Sequence, residues 1–395
     1  MSNRSIWLDN HSTTPVDPRV LDAMWPWLTT HFGNPASSHE YGAEAAAIME
    51  VARAEVASMV QAEPHEVIFT SGATEANNLA IKGVAQAMVA KGKHIITSAI
   101  EHSSVINVCK ALEQDGWSVT VLPVGRAGVV SPDDVRRAIT PRTVLVSVMS
   151  ANNEIGTIQP IIEIGAICRE RDVMFHSDAC QGFGRTDMML CPIGSPCAPA
   201  APMIALSGHK LYAPKGIGAL IVRTGTRFTP QMLGGAHEGG LRAGTPNVPG
   251  IVALGAACAI MRDEWHGESE RLESFRNHIM HRLINDLGDT VVINGVMGGP
   301  DVRLPHNLNV TLKNVCPIKM DATLSRYIAI SGSSACTSNA PLTSRVIAAI
   351  GGIGVDLGAT LRIGVGRFNT YDECEYAAEV IIQATMLLRG SGCDS

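Results

Sequence analysis

Seven short apolar runs, separated mostly by helical patterns, constrain this chain more than any other feature. They are Val67-Ile68-Phe69, Ile95-Ile96, Val119-Thr120-Val121-Leu122, Val144-Leu145-Val146-Ser147-Val148, Val173-Met174-Phe175, Ile204-Ala205-Leu206 and Ala219-Leu220-Ile221-Val222. Runs so short and so continuously apolar read as strands buried on both faces, and their alternation with helices predicts a mainly parallel sheet. The expectation is an α/β chain with one large domain over 15–261 and a seven-stranded sheet. Ahead of the first run lie a helix near Pro18 to Leu28, an irregular stretch Phe32 to His39 and an alanine-rich helix from about Ala43 to Val60. Beyond the last run the pattern changes. A helix from about His266 to Leu287, strands near Val291-Ile293 and Asn307–Thr311, and helices near Thr343–Ile350 and Asp372–Leu388 predict a smaller α+β domain. That domain is expected to comprise 1–14 and 262–395.

Composition narrows the function. The net charge is -6 and no basic block stands out, so no nucleic-acid partner is expected. The uncharged stretch Met188 to Gly208 is long, but Pro192, Pro196, Pro199 and Pro202 forbid a clean spanning helix, so no membrane is expected either. The N-terminus carries no apolar signal core, and the 10 cysteines lack regular spacing; together these predict a cytoplasmic, reducing location. Cys191 and Cys197 match no common zinc spacing, so no metal is expected. Cys109 and Cys168 fall in helical patterns and read as small core residues.

The chemistry gathers at predicted strand ends. Lys210 follows the run Met203-Ile204-Ala205-Leu206 within Ser207-Gly208-His209-Lys210, at the rim where ligands of open α/β sheets collect. A partly desolvated lysine there can attack an aldehyde, and Ser207 and His209 can bond an anion. Phe69-Thr70-Ser71-Gly72-Ala73-Thr74-Glu75 runs from a strand through a glycine turn into a helix, whose first free N–H groups make a phosphate seat. His102 follows Ile95-Ile96, and Asp178 follows Val173-Met174-Phe175. Each residue alone is more often a cap, a turn or a solvated side chain. Together they offer an anion seat, an amine and a carboxylate, the set that pyridoxal phosphate requires.

Several motifs also carry a family resemblance over nearly the whole chain. Asp9-Asn10 with Thr13-Thr14-Pro15, Gly33-Asn34-Pro35, Thr70-Ser71-Gly72-Ala73-Thr74-Glu75, Glu101-His102 and Asn152-Asn153-Glu154-Ile155-Gly156 resemble the cysteine desulfurases. So do Ser207-Gly208-His209-Lys210, Arg242-Ala243-Gly244-Thr245 and Ser334-Ala335-Cys336-Thr337-Ser338. The branch they resemble supplies sulfur for iron–sulfur clusters and tRNA thiolation, and has the fold type I of pyridoxal-phosphate transferases (class V aminotransferase-like). By that resemblance Lys210 holds the cofactor, His102 stacks on its ring and Asp178 pairs with the ring nitrogen. Gln181, with Asn153 close by, bonds the ring oxygen. The backbone of Ala73, with Thr74, Ser207 and His209, holds the phosphate, and Thr245 reaches over from the second subunit of a homodimer. Asn34 and Arg362 bind the substrate carboxylate, a bidentate task that suits arginine.

Cys336 stands among small polar residues, Ser331 to Pro341, that cannot pack a core; the expectation is an exposed, reactive thiol on a mobile loop. The implied reaction converts L-cysteine to L-alanine and leaves a persulfide on Cys336 for a sulfur-acceptor protein, an iron–sulfur scaffold or a sulfur carrier. Two other readings are a selenocysteine lyase or other lyase or transaminase of this fold, and a non-catalytic dimeric scaffold in a sulfur relay. Cys180 stands where the family carries a small residue or threonine, and the segment from Met188 to Pro202 is longer than the family's usual one.

Overall fold

The computed structural model describes residues 5–186, 202–332, 344–351 and 358–390. Cys336, the bulk of the proline-rich segment and the thiols Cys191 and Cys197 lie outside the described residues. In chain order the first part holds β1 (Ile6–Trp7), α1 (Pro18–Thr29), α2 (Glu40–Ser58), β2 (Val67–Thr70), α3 (Ala73–Ala87) and β3 (His94–Ser98). Next come α4 (Ser103–Gln114), β4 (Ser118–Leu122), α5 (Pro132–Ala138), β5 (Thr143–Ser147), α6 (Ile161–Glu170), β6 (Met174–Asp178), β7 (Met203–Ser207) and β8 (Gly218–Val222).

Strands β2 to β8 form a seven-stranded sheet in the order β2-β8-β7-β6-β5-β3-β4. The pairs β4/β3, β3/β5, β5/β6 and β6/β7 are parallel, and only β8 runs against its neighbours. The sheet is thus mainly parallel, as the alternation predicts. Neighbouring residues of one strand feed opposite layers: Ile96, Ile204 and Leu206 join the core under α1, α2 and α6, whereas Ile95, Met203 and Ala205 join the core under α3 and α4. Burial on both faces is why these strands read as continuous apolar runs rather than as alternation. Cys109 and Cys168 are buried in these two cores.

The remainder comprises α7 (Val248–Leu287), β9 (Val291–Ile293), β10 (Asn307–Lys313), α8 (Pro317–Leu324), β11 (Ile328–Ala329), β12 (Ser331–Gly332), α9 (Arg345–Ala349), β13 (Gly358–Gly364) and α10 (Tyr371–Leu388). The helix expected from His266 is the second half of α7, one continuous helix of 40 residues. Its first half, through Met261, packs into the large-sheet core; Leu272 and later residues pack into a second core with β10, β13 and α10. The position between 261 and 262 therefore lies inside a helix that belongs to both cores. Strand β13 was not among the expected strands. It pairs antiparallel with β10 and β12 in a four-stranded sheet ordered β12-β13-β10-β9. Among the described residues no helix is long and apolar enough to cross a membrane.

Candidate active site

Two of the expected residues, Ser207 and Asp178, are set by sheet register. Thr70 at the end of β2 and Ser207 at the end of β7 both pair with Gly218 at the start of β8, and Asp178 at the end of β6 pairs with Ala205. The polar ends of β2, β6 and β7 thereby share one rim of the sheet, the edge at which open α/β sheets bind ligands.

Helix α3 starts at that rim. Its N-cap is Gly72, at φ 148°, a conformation that a side chain disfavours, and Ala73 and Thr74 are its first residues. The opening N–H groups of a helix have no partner within it, so the backbone here would offer an anion a positive dipole end. Two backbones meet closely: a Cβ on Gly218 would lie 2.7 Å from Gly72 Cα and 2.5 Å from the Leu206 carbonyl oxygen. Gly218→Ala is accordingly expected to push α3 away from Ser207. The expected loss is about 1–3 kcal/mol of unfolding free energy together with weaker anion binding. Urea unfolding with and without phosphate checks both, and equal phosphate stabilisation of the two proteins would refute the cradle. Glu75 braces the turn, accepting from Ser71 N–H at 2.8 Å and pairing with Arg242 at 2.7 Å.

Lys210 closes a short 3₁₀ turn (Gly208–Lys210) after β7. Its half-buried Nζ donates to the carbonyls of His11 at 2.7 Å and Ser12 at 2.6 Å. Burial, aided by the positive charges of Arg362 and Arg185, lowers its pKa from 10.5 to about 8. His209 sits beside it with Nδ1 3.0 Å from Thr13 Oγ1, and burial lowers its pKa to about 4, so the ring is neutral at pH 7.

Asp178 and His102 are linked through two residues that their types alone do not single out. Asn77 on α3 donates to Asp178 Oδ2 at 2.8 Å and to Ser104 Oγ at 2.8 Å, and Ser104 Oγ lies 2.8 Å from His102 Nδ1. His102 caps helix α4, which fixes its ring at the β3 end of the rim. Asp178 Oδ1 accepts from the Cys180 N–H at 3.1 Å. Burial, with the Asp178 carboxylate next to it, pushes the Cys180 thiol well up, so this thiol stays protonated and is a poor nucleophile.

Arg362 lies on β13, whose register sets it opposite Asn309 and Ser331. Its Nη2 donates to Asp9 Oδ1 at 2.9 Å and Ser331 Oγ at 2.8 Å, and Nη1 to the Asn153 carbonyl at 3.3 Å. Gln181 is buried against His11, with Oε1 3.0 Å from His11 Nδ1 and Nε2 3.1 Å from the His11 carbonyl. Asn34 and Thr245 are both exposed; the Asn34 side chain accepts from the Ala36 N–H at 3.0 Å. Among the described residues neither bonds to another expected site residue. Asp9, His11, Asn77, Ser104 and Arg185 complete the site without having been named for it. Arg185 is buried, donates to the Lys210 carbonyl and lies 5.7 Å from the Trp265 ring.

An amine with a depressed pKa, a buried carboxylate and a helix-start anion seat on one rim fit pyridoxal phosphate in kind and number. Among the described residues no cluster suited to a metal ion is found.

Comparison with known proteins agrees. Residues 6–376 match the aminotransferase class-V family. The human cysteine desulfurase is 42% identical over 390 residues, 98% of this chain and 83% of that protein. The cysteine desulfurase IscS of Rickettsia prowazekii is 43% identical over 97% of this chain and 92% of its own length. Among solved structures, a NifS-like protein superposes with a TM-score of 0.86 at 34% identity, covering 97% of this chain and all, 100%, of that one. SspA in complex with cysteine gives a TM-score of 0.78 at 36% identity, covering 93% of this chain and 100% of that one. With the strand-end lysine, the helix-start seat and full-length similarity in agreement, this chain belongs to the class-V aminotransferase family and, within it, to the cysteine desulfurases.

Proposed function

We propose that this enzyme, with pyridoxal 5'-phosphate as cofactor, converts L-cysteine to L-alanine and takes the sulfur as a persulfide on Cys336. The observation that carries the reading is the half-buried Lys210 amine on the same sheet rim as Asp178 and the start of α3. In this reading Ala73 N–H, Thr74, Ser207 and His209 hold the phosphate, joined by Thr245 of the partner subunit in a homodimer. Asp178 holds the ring nitrogen, His102 covers the ring, and Gln181 with Asn153 serves the ring oxygen. When bound, the cofactor supplies an electron sink for charge that develops at the substrate α-carbon.

The residues of the chain do the remainder. Arg362 and Asn34 take the substrate carboxylate; for Arg362 that means giving up part of its hold on Asp9 and the Asn153 carbonyl. Lys210 Nζ would hold the cofactor aldehyde and, as the half-buried amine at this rim, would move the substrate α-proton. The Cys336 thiolate attacks the substrate sulfur, so an S–S bond forms, the carbon–sulfur bond breaks and the carbon is protonated, giving alanine. Atoms balance: cysteine and a thiol yield alanine and a persulfide. The chain enters the segment carrying Cys336 from β12, whose Ser331 bonds Arg362. The persulfide then passes to a sulfur-acceptor protein in the cytoplasm, an iron–sulfur scaffold or a sulfur carrier.

The test is to mix holoenzyme with L-cysteine and analyse products and peptides. Expected are alanine in equal amount to bound sulfur, and one added sulfur atom on the Cys336 peptide. Pyruvate in place of alanine, or sulfur on Cys180 instead, would overturn the reading. A pH dependence follows as well. Only the unprotonated amine captures an aldehyde, so reconstitution of cofactor-free protein is expected to speed up as pH rises, with a midpoint near 8. Stopped-flow absorbance measures it, and a midpoint above about 10, the ordinary lysine range, would contradict the role of burial.

A further inference from the structure

His11 is a buried ring that the reaction does not use, yet it touches two residues that the reaction does. Its carbonyl accepts from Lys210 Nζ at 2.7 Å and from Gln181 Nε2 at 3.1 Å, while its Nδ1 lies 3.0 Å from Gln181 Oε1. The segment is clamped to β13: Asn10 N–H donates to the Gly364 carbonyl, Gly364 N–H to the Leu8 carbonyl, and a Cβ on Gly364 would lie 2.7 Å from His11 Cδ2. On its far side the ring stacks on His306 at 4.5 Å.

These contacts determine two assignments. A backbone carbonyl only accepts, so the Gln181 atom facing it must be the amide nitrogen. The other end of the amide is then an oxygen, which also only accepts, so His11 Nδ1 carries the ring proton. Burial keeps that ring neutral, with its pKa lowered to about 3, and Nε2 is bare with no hydrogen-bond partner among the described residues. One hydrogen of Gln181 Nε2 is spent on His11; the second is left over.

We propose that His11 is a positioning residue, gripping both ends of the Gln181 amide so that one Nε2 hydrogen is always presented to an oxygen of the bound cofactor. The inference rests on the reading above that Gln181 touches the cofactor. Without the Nδ1 donor only the backbone carbonyl of residue 11 still holds the amide, and its oxygen end, left without a donor, costs less to turn toward the cofactor, where it would repel rather than bond an anionic ring oxygen.

The test uses full-length holoenzyme and follows the visible absorption band of the bound cofactor against pH. His11→Phe keeps an aromatic ring on His306 but removes the donor; His11→Asn restores it, because the Asn side-chain nitrogen takes the place of Nδ1. His11→Phe and Gln181→Leu are both expected to move the band's pH midpoint by about one unit, the size of one hydrogen bond. His11→Asn is expected to stay within about a few tenths of wild type. A shift in Gln181→Leu but none in His11→Phe would overturn the proposal and leave the Gln181 assignment standing. No shift in Gln181→Leu would remove that assignment, and the proposal with it. If His11→Phe does not fold, ¹⁵N NMR decides on the His11 ring, assigned as the signal lost in His11→Asn: expected is a proton on its Nδ1 and no titration between about pH 5 and 9. A proton on Nε2, or titration in that range, would refute it.

Discussion

Lys210→Ala is expected to lower alanine formation from L-cysteine by at least about 10⁴-fold, the upper range for loss of a positioned general base. The size follows from what surrounds the amine. Lys210 Nζ rests on the His11 and Ser12 carbonyls, and burial brings its pKa to about 8, so an appreciable fraction is unprotonated near neutral pH. Among the described residues, the other ionisable groups named at this rim are poorly suited to replace it. Burial keeps the Cys180 thiol protonated, and Asp178 is engaged by Asn77 and by the Cys180 N–H. His102 is tied through Nδ1 to Ser104. The variant should still bind cofactor without a covalent link, because the start of α3, Ser207 and Asp178 are untouched. Exchange of the α-hydrogen of cysteine with deuterated solvent should fall in parallel with alanine formation. Alanine formation within about tenfold of wild type, with bound cofactor verified by absorbance, would remove Lys210 from the proton transfer.

What the sequence makes legible here, and what it hides, follows from how far apart the contacting residues lie. Ile95 and Ile96 announce a strand because both are buried, one in each core. Lys210 and Asp178 are legible because a buried strand that stops at a polar residue marks a sheet rim. The single span of α7 is harder to see. Its first half contributes many buried apolar residues and its second half is charged on one side, so the period changes within one helix. Strand β13 hides because Gly358, Thr360 and Arg362 dilute its pattern, and its pairing with β10 across the chain compensates. His11, Asn77 and Asp9 are invisible for a different reason. Each is an ordinary polar residue whose partner is remote in sequence: Gln181 is 170 residues from His11, and Arg362 is 353 residues from Asp9. No local pattern encodes such a contact, and only the folded sheet brings the pairs together.

Cys336→Ser separates proton chemistry from sulfur chemistry. The variant is expected to lose sulfide release from L-cysteine by more than about 10³-fold, or over about 4 kcal/mol of barrier. A thiol at neutral pH is already a few per cent thiolate and strongly nucleophilic, whereas a serine hydroxyl is almost wholly protonated and has no base assigned to it here. A hydroxyl attacking sulfur would also form an S–O bond, which is weaker and more polar than the S–S bond of a persulfide. The buried thiols cannot substitute. Cys109 and Cys168 lie inside the cores with their pKa values pushed up to about 12, and Cys180 is raised as well. Lys210 is intact in this variant, so exchange of the substrate α-hydrogen with solvent should persist near the wild-type rate. That contrast distinguishes the sulfur acceptor from the proton carrier: Lys210→Ala loses both signals, Cys336→Ser only one. If Cys336→Ser released sulfide from cysteine at the wild-type rate, the thiol that takes the sulfur would have to be another, or the sulfur would leave without a protein nucleophile. If instead it lost exchange as well as sulfide, the substitution would be acting on substrate binding, and the division of labour between the two residues would be refuted.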